Sequence, residues 1–112
     1  DKQDNISDTT KYEDHFVAEN RLIAISKSGR SMDSEDVQNF LNATKRGIDV
    51  QLFVRKNKDD KISKEFYYLG RVIATGNAKQ FVMPNTDKTA VEIEWELETP
   101  VREDIYQYIV NE

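Results

Sequence analysis

Residues 48–73 read IDVQLFVRKNKDDKISKEFYYLGRVI, and two apolar runs in this stretch decide the fold. In the first, Ile48, Val50, Leu52 and Val54 share one side, and Asp49, Gln51, Phe53 and Arg55 share the other. A period of two is the signature of a half-buried strand, because successive side chains point to opposite faces. In the second, Phe66, Tyr68 and Val72 are expected on one side, and Tyr67, Leu69, Arg71 and Ile73 on the other. Asn57–Lys61 between them has no apolar residue and suits a turn. The spacing predicts a β-hairpin in the middle of a sheet or small barrel.

Working outward, Ser34–Lys45 is the best helix. Val37, Phe40, Leu41 and Thr44 follow the spacing of one helical face. Asp33 or Ser34 can cap its start, Glu35 and Asp36 suit the positive end of the dipole, and Gly47 can stop it. Arg21–Ser26 reads as a buried strand, the first of the sheet, followed by a loop at 27–32. Downstream, Gly76-Asn77 marks a turn, Lys79–Met83 a short strand, and Pro84-Asn85-Thr86-Asp87 a stronger turn. Thr89–Glu98 is the cleanest strand, with Val91, Ile93, Trp95 and Leu97 on one face and Glu92, Glu94, Glu96 and Glu98 on the other. Arg102–Val110 is expected to be a terminal helix, with Ile105, Tyr108 and Ile109 on one side. Residues 1–14 are polar and acidic and read as a linker or flexible arm, leaving 15–112 as a single domain. The expected class is α+β, mainly β, a curved sheet or open barrel with two helices.

Composition narrows the function. The 112 residues contain no cysteine, so disulfides and thiolate metal sites are excluded. No apolar run approaches the roughly 18 residues of a membrane span, and we expect a cytoplasmic segment of a longer protein, since Asp1 is not an initiator methionine. His15 is the only histidine, and no glycine-rich phosphate cradle is present. Hydrolytic chemistry is therefore poorly served, and no catalytic role or metal site is expected. The row Glu92, Glu94, Glu96 and Glu98 reads as a solvated face that would repel DNA, and Trp95 as a core residue. The net charge of −5 argues against a polyanion partner until its distribution is considered. Residues 45–71 hold eight cations against four acids, while residues 1–20 and 72–112 are acidic. Local potential decides where a polyanion docks.

Leu52-Phe53-Val54-Arg55, a polar spacer, and Phe66-Tyr67-Tyr68-Leu69-Gly70 together resemble the C-terminal domain of a group of helicase-like proteins, the DUF3427 family. Within it, the chain looks like the target-recognition domain of SauUSI-type ATP-dependent, modification-dependent (type IV) restriction enzymes. The resemblance covers about Asn20 to Pro100. It implies a PUA/SRA-like fold and recognition of 5-methylcytosine or 5-hydroxymethylcytosine in double-stranded DNA by base flipping. It also implies helicase and nuclease domains in the same parent chain, with ATP and Mg bound there and no cofactor in this segment. By that resemblance Ser26, Ser28 and Arg55, with Tyr67 or Tyr68 as the stacking ring, are candidates for the modified-base pocket. Arg30, Lys56, Lys58, Lys61, Lys64 and Arg71 are candidates for the DNA backbone. Two other readings stand beside it: a protein-interaction or autoinhibitory domain docking on the helicase through the glutamate face, and a reader of modified RNA.

Overall fold

The computed structural model describes residues 14–55 and 66–111. Five antiparallel strands form one curled half-barrel sheet in the order β1-β2-β5-β4-β3. They are β1 (His15–Ala18), β2 (Arg21–Ile25), β3 (Val50–Val54), β4 (Tyr67–Val82) and β5 (Thr89–Leu97). Two helices, α1 (Glu35–Leu41) and α2 (Glu103–Val110), complete an α+β, mainly β domain.

β5 is the central strand, and its alternation sets the core. Val91, Ile93, Trp95 and Leu97 are all buried, joined by Leu22 from β2, Val72 from β4 and Val37 from α1. Each large apolar side chain removed from water contributes about 1.5–3 kcal/mol before entropy is counted. Val37 of α1 is fully buried, and Phe40 meets Trp95 edge to face at 5.7 Å between ring centroids. α2 runs beneath the same face. Its Tyr106 meets Phe16 of β1 at 5.8 Å, and its Tyr108 meets Tyr67 of β4 at 6.0 Å. One helix thus touches strands on both sides of the sheet, which closes the end of the half-barrel.

Several local expectations are corrected. A strand precedes Arg21–Ile25: His15–Ala18 pairs with it through a tight turn at Glu19-Asn20. The 48–73 hairpin lies at one side of the sheet rather than in the middle, because β3 has a neighbour on one flank only. Regular α-helix ends at Leu41, and turns carry the chain to Gly47. There the Ile48 N–H donates to the Ala43 carbonyl (2.8 Å) and the Gly47 N–H to that of Thr44 (3.3 Å), the pairing of a Schellman stop. Ser34 occupies the N-cap position, but its hydroxyl accepts from the Ser31 N–H instead of capping the helix. The expected turn at Asn57–Lys61 lies outside the described residues.

Gly76-Asn77 is not a turn. β4 runs straight through it, and the chain reverses only at Pro84-Asn85. The Thr86 N–H donates to the Met83 carbonyl, with proline at the second position and Asn85 at φ 63 at the third, as a type II turn demands. At residues 75–77 the β4–β5 register jumps from Ala74↔Trp95 to Ala78↔Ile93, so three residues of β4 stand opposite Glu94 alone. Gly76 absorbs this bulge at φ 101.

A second bulge re-phases the start of β4. Leu52 pairs with Gly70 and Phe53 with Tyr68, which leaves Leu69 as the extra residue. Tyr68 therefore does not share a face with Val72, as strict alternation predicts. Leu69 packs against the core with Val72, while Tyr68 turns outward with Arg71 and Ile73. Bulges have this effect because one unpaired residue inverts the in/out order of everything beyond it.

Candidate nucleic-acid interface

The end of β3 and the residues that enter β4 carry a group of exposed aromatic side chains. Phe53, Phe66 and Tyr68 are 59%, 60% and 60% exposed, and a cluster of large exposed apolar side chains is the kind of surface that marks an interaction site. The Phe53 and Tyr68 rings lie 5.0 Å apart, tilted by 41°. The Arg55 guanidinium sits over the Phe66 ring at 5.3 Å, within reach of a cation–π attraction. The Tyr68 hydroxyl donates to Gln51 on the facing strand, which fixes the ring. The alternation of β3 puts Gln51 and Phe53 outside while Val50 and Leu52 pack against the core. Two strands thus present flat rings on one outer surface.

Tyr67 and Tyr68 are told apart by the bulge. Tyr67 is half-buried against Tyr108, and Tyr68 faces solvent. Arg71, two residues beyond Leu69 on the outer face, is held by Asp49 at 3.1 Å and Glu98 at 3.4 Å. Lys56, Lys58, Lys61 and Lys64 lie outside the described residues; in sequence they connect Arg55 to Phe66.

The remaining candidates sit elsewhere. Ser26 follows β2, and its backbone and hydroxyl extend the ladder to Val91: the Ser26 N–H donates to the Val91 carbonyl (2.8 Å), and the Val91 N–H to Ser26 Oγ (2.9 Å). Val91 in turn pairs with Gln80, near the far end of β4 from Tyr67. Ser28 is exposed in the same loop, and Arg30 binds Asp36 at 2.8 Å. That bond holds the Asp36 carboxyl below its ordinary value, since the guanidinium stabilises its charged form. The structure therefore gathers Arg55, Tyr67, Tyr68 and Arg71 at one end of β4 and places Ser26, Ser28 and Arg30 at the other. Phe53 and Phe66 are the members of the aromatic group that were not singled out. The signal for Phe53 was its place on the polar side of an alternating strand.

The glutamate face is more than a solvated row. Glu92 meets Lys79 at 3.5 Å, Glu94 and Glu96 both meet Arg21, at 3.4 and 3.7 Å, and Glu98 meets Arg71. Asn77 and Thr75, both from the bulge, donate to Glu94 Oε1 at 2.9 and 2.8 Å. These bonds, with the charge of Arg21, hold the Glu94 carboxyl below its ordinary value. Among the described residues no group of three or more His, Cys, Asp or Glu side chains is disposed to hold a metal ion. No helix there is long and apolar enough to cross a membrane.

Fold and surface together define a mainly β domain with a curled half-barrel sheet and an aromatic outer edge beside a basic segment. The family model described as a domain of unknown function (DUF3427) matches residues 1–109, and the chain belongs to that family. No curated protein matches the chain.

Proposed function

We propose that this domain is a non-catalytic nucleic-acid recognition module, reading modified cytosine in double-stranded DNA for a larger ATP-dependent, modification-dependent restriction enzyme of the SauUSI type. One observation carries the reading: the exposed rings of Phe53, Phe66 and Tyr68, with Arg55, stand at both roots of a segment that holds Lys56, Lys58, Lys61 and Lys64. Aromatic faces stack on any base, and neighbouring lysines neutralise phosphates, which is how unpaired or extruded bases are held. The SRA-like role and the cytosine modification come from the family resemblance. The parent chain would supply ATP and Mg chemistry, and no cofactor is assigned to this domain. A cytoplasmic setting follows from that role.

The docking reading rests on the glutamate row, whose four carboxylates each meet a cation within the sheet. That leaves less acidic charge to offer a helicase surface. Stacking alone serves RNA equally well.

The test is binding of matched methylated and unmethylated duplexes, and the corresponding single-stranded RNA, across a salt series. Preference for methylated DNA is expected. With about four phosphates neutralised, log K should fall against log salt with a slope of roughly −3.6. Replacing Lys56, Lys58 and Lys61 with Ala should flatten that slope for both duplexes. Tyr68→Ala should lower affinity with the slope unchanged, because stacking releases no counterions. RNA binding without DNA binding would select the RNA reading. No binding of either, at low salt, would overturn the proposal.

A further inference from the structure

On the outer face of the sheet, the β4 bulge opens a cleft of about 340 Å³ lined by Ile23, Gly76, Asn77, Ala78, Lys79, Glu92 and Glu94. That volume falls within the range of small-molecule sites, and bulges are over-represented next to active sites, where they re-aim side chains. The chemistry of the lining is selective. Thr75, Asn77 and Arg21 all approach Glu94 Oε1. Among the described residues no donor meets Glu94 Oε2 or Asn77 Oδ1. The cleft therefore presents two solvent-accessible acceptors that a ligand N–H can meet. Glu92 and Glu94 outnumber Lys79 in the lining, so an anionic ligand is disfavoured. Lys79 and Arg21 already meet the two carboxylates, so a fully charged ammonium or guanidinium would have to displace them. Ile23 adds apolar contact for a flat ring, while Ala78 packs toward the core.

We propose that this cleft binds a neutral, planar, amine-bearing heterocycle: a nucleobase with an exocyclic amino group, such as cytosine or adenine, in preference to uracil or thymine. The amino group supplies two N–H donors to the open acceptors, whereas a carbonyl oxygen at the same ring position would face a carboxylate. The nucleic-acid reading enters only as the source of the base, which could equally be a free nucleoside. The cleft and the aromatic edge share the outer face of β4, with Ile73 exposed between them. A base in the cleft thus leaves the rings of Phe53 and Tyr68 uncovered.

The experiment titrates the isotopically labelled 112-residue chain with cytidine, adenosine and uridine, and follows backbone amides by NMR. Cytidine and adenosine are expected to shift the amides of Gly76, Asn77 and Ala78 saturably, with a dissociation constant of about 1 mM, in the range of weak complexes. Uridine should leave those amides in place. Any stacking on the aromatic edge would instead move the amides of Phe53 and Tyr68 with all three nucleosides. Asn77→Ala should weaken the cleft response to cytidine about tenfold, and Tyr68→Ala should leave it unchanged. Equal response to uridine, or no saturable shift at 76–78 with any nucleoside, overturns the proposal. Short single-stranded oligonucleotides ending in cytosine or uracil form a second arm. Tighter binding by the cytosine oligonucleotide than by cytidine assigns the base to a nucleic acid, and equal binding assigns it to a free nucleoside. A nucleoside response without any duplex binding would overturn the proposed function and leave the cleft standing. Duplex binding without a nucleoside response would do the reverse.

Discussion

β5 and β4 lie side by side in the sheet, but β5 pairs with β2 in one unbroken register while β4 shifts register twice. β5 sends Val91, Ile93, Trp95 and Leu97 to the core and Glu92, Glu94 and Glu96 to the other face. In β4 the bulges at Leu69-Gly70 and 75–77 each change which side chains point outward. The unbroken strand builds the core. The broken one carries both features that could meet a ligand, the aromatic edge and the cleft. An extra residue lifts side chains out of the alternating order, and what it exposes is no longer committed to packing.

The sharpest way to break this contrast is to attack the two faces of β5 separately. Trp95→Ala should destabilise the domain by about 3–5 kcal/mol, the cost of losing a buried indole and leaving a cavity. Glu96→Gln, one residue along on the exposed face, should cost less than about 1 kcal/mol, because surface ion pairs contribute little. Urea denaturation of both variants measures the ratio. Comparable losses would mean that the glutamate face is as structural as the core.

On β4 the expected pattern is reversed. Phe53→Ala should leave stability within about 0.5 kcal/mol, as exposed substitutions do. It should weaken nucleic-acid binding by about 1–3 kcal/mol if a base stacks there. Melting curves and fluorescence anisotropy on the same preparation check both halves. A large loss of stability with unchanged binding would make the ring a packing residue.

The bulge can be tested through its glycine. A Cβ at Gly76 meets no atom within 4 Å, so Gly76→Ala has no steric clash to relieve. Its cost is the backbone conformation alone, at φ 101, and should be about 1–2 kcal/mol. A cost near zero would show that the bulge relaxes freely and does not define a fixed cleft.

The smallest effect is that of acid. Arg102 donates to Asp104 and holds its carboxyl down at about 2, and Asp36 and Glu94 are also lowered by their hydrogen-bond donors. A carboxyl lowered in the folded state contributes stability that is present above its unfolded value of about 4 and is lost as pH falls through the folded value. For Asp104 the window therefore runs from about 4 down to about 2. The thermal midpoint should fall modestly across it, and Arg102→Ala should flatten that fall. The three carboxylates are solvent-accessible, so screening keeps the change small.

Much of the fold was legible because local rules and tertiary structure agree. Thr89–Glu98 alternates strictly, Val37 and Leu41 share a helical face, Pro84-Asn85 has the chemistry of a type II turn, and Trp95 is buried. Gly76-Asn77 misled because the same residue pair that opens a turn also accommodates a bulge; only pairing with β5 distinguishes them. β1 was missed because four residues, HFVA, carry too little periodicity to stand out from the polar segment before them.

By itself, then, the sequence determined the class of fold, the central strand and its two faces, the α1 region, the distal turn, and the concentration of lysine between two aromatic-bearing strands. All of these follow from the order and spacing of residues along the chain. Which tyrosine faces solvent, how far Ser26 lies from Tyr67, and the cleft beside Glu94 were decided only by the tertiary structure. Each depends on strand register, and register is set by partners distant in sequence. A single inserted residue at Leu69 exchanges the inside and outside of a strand without changing its composition.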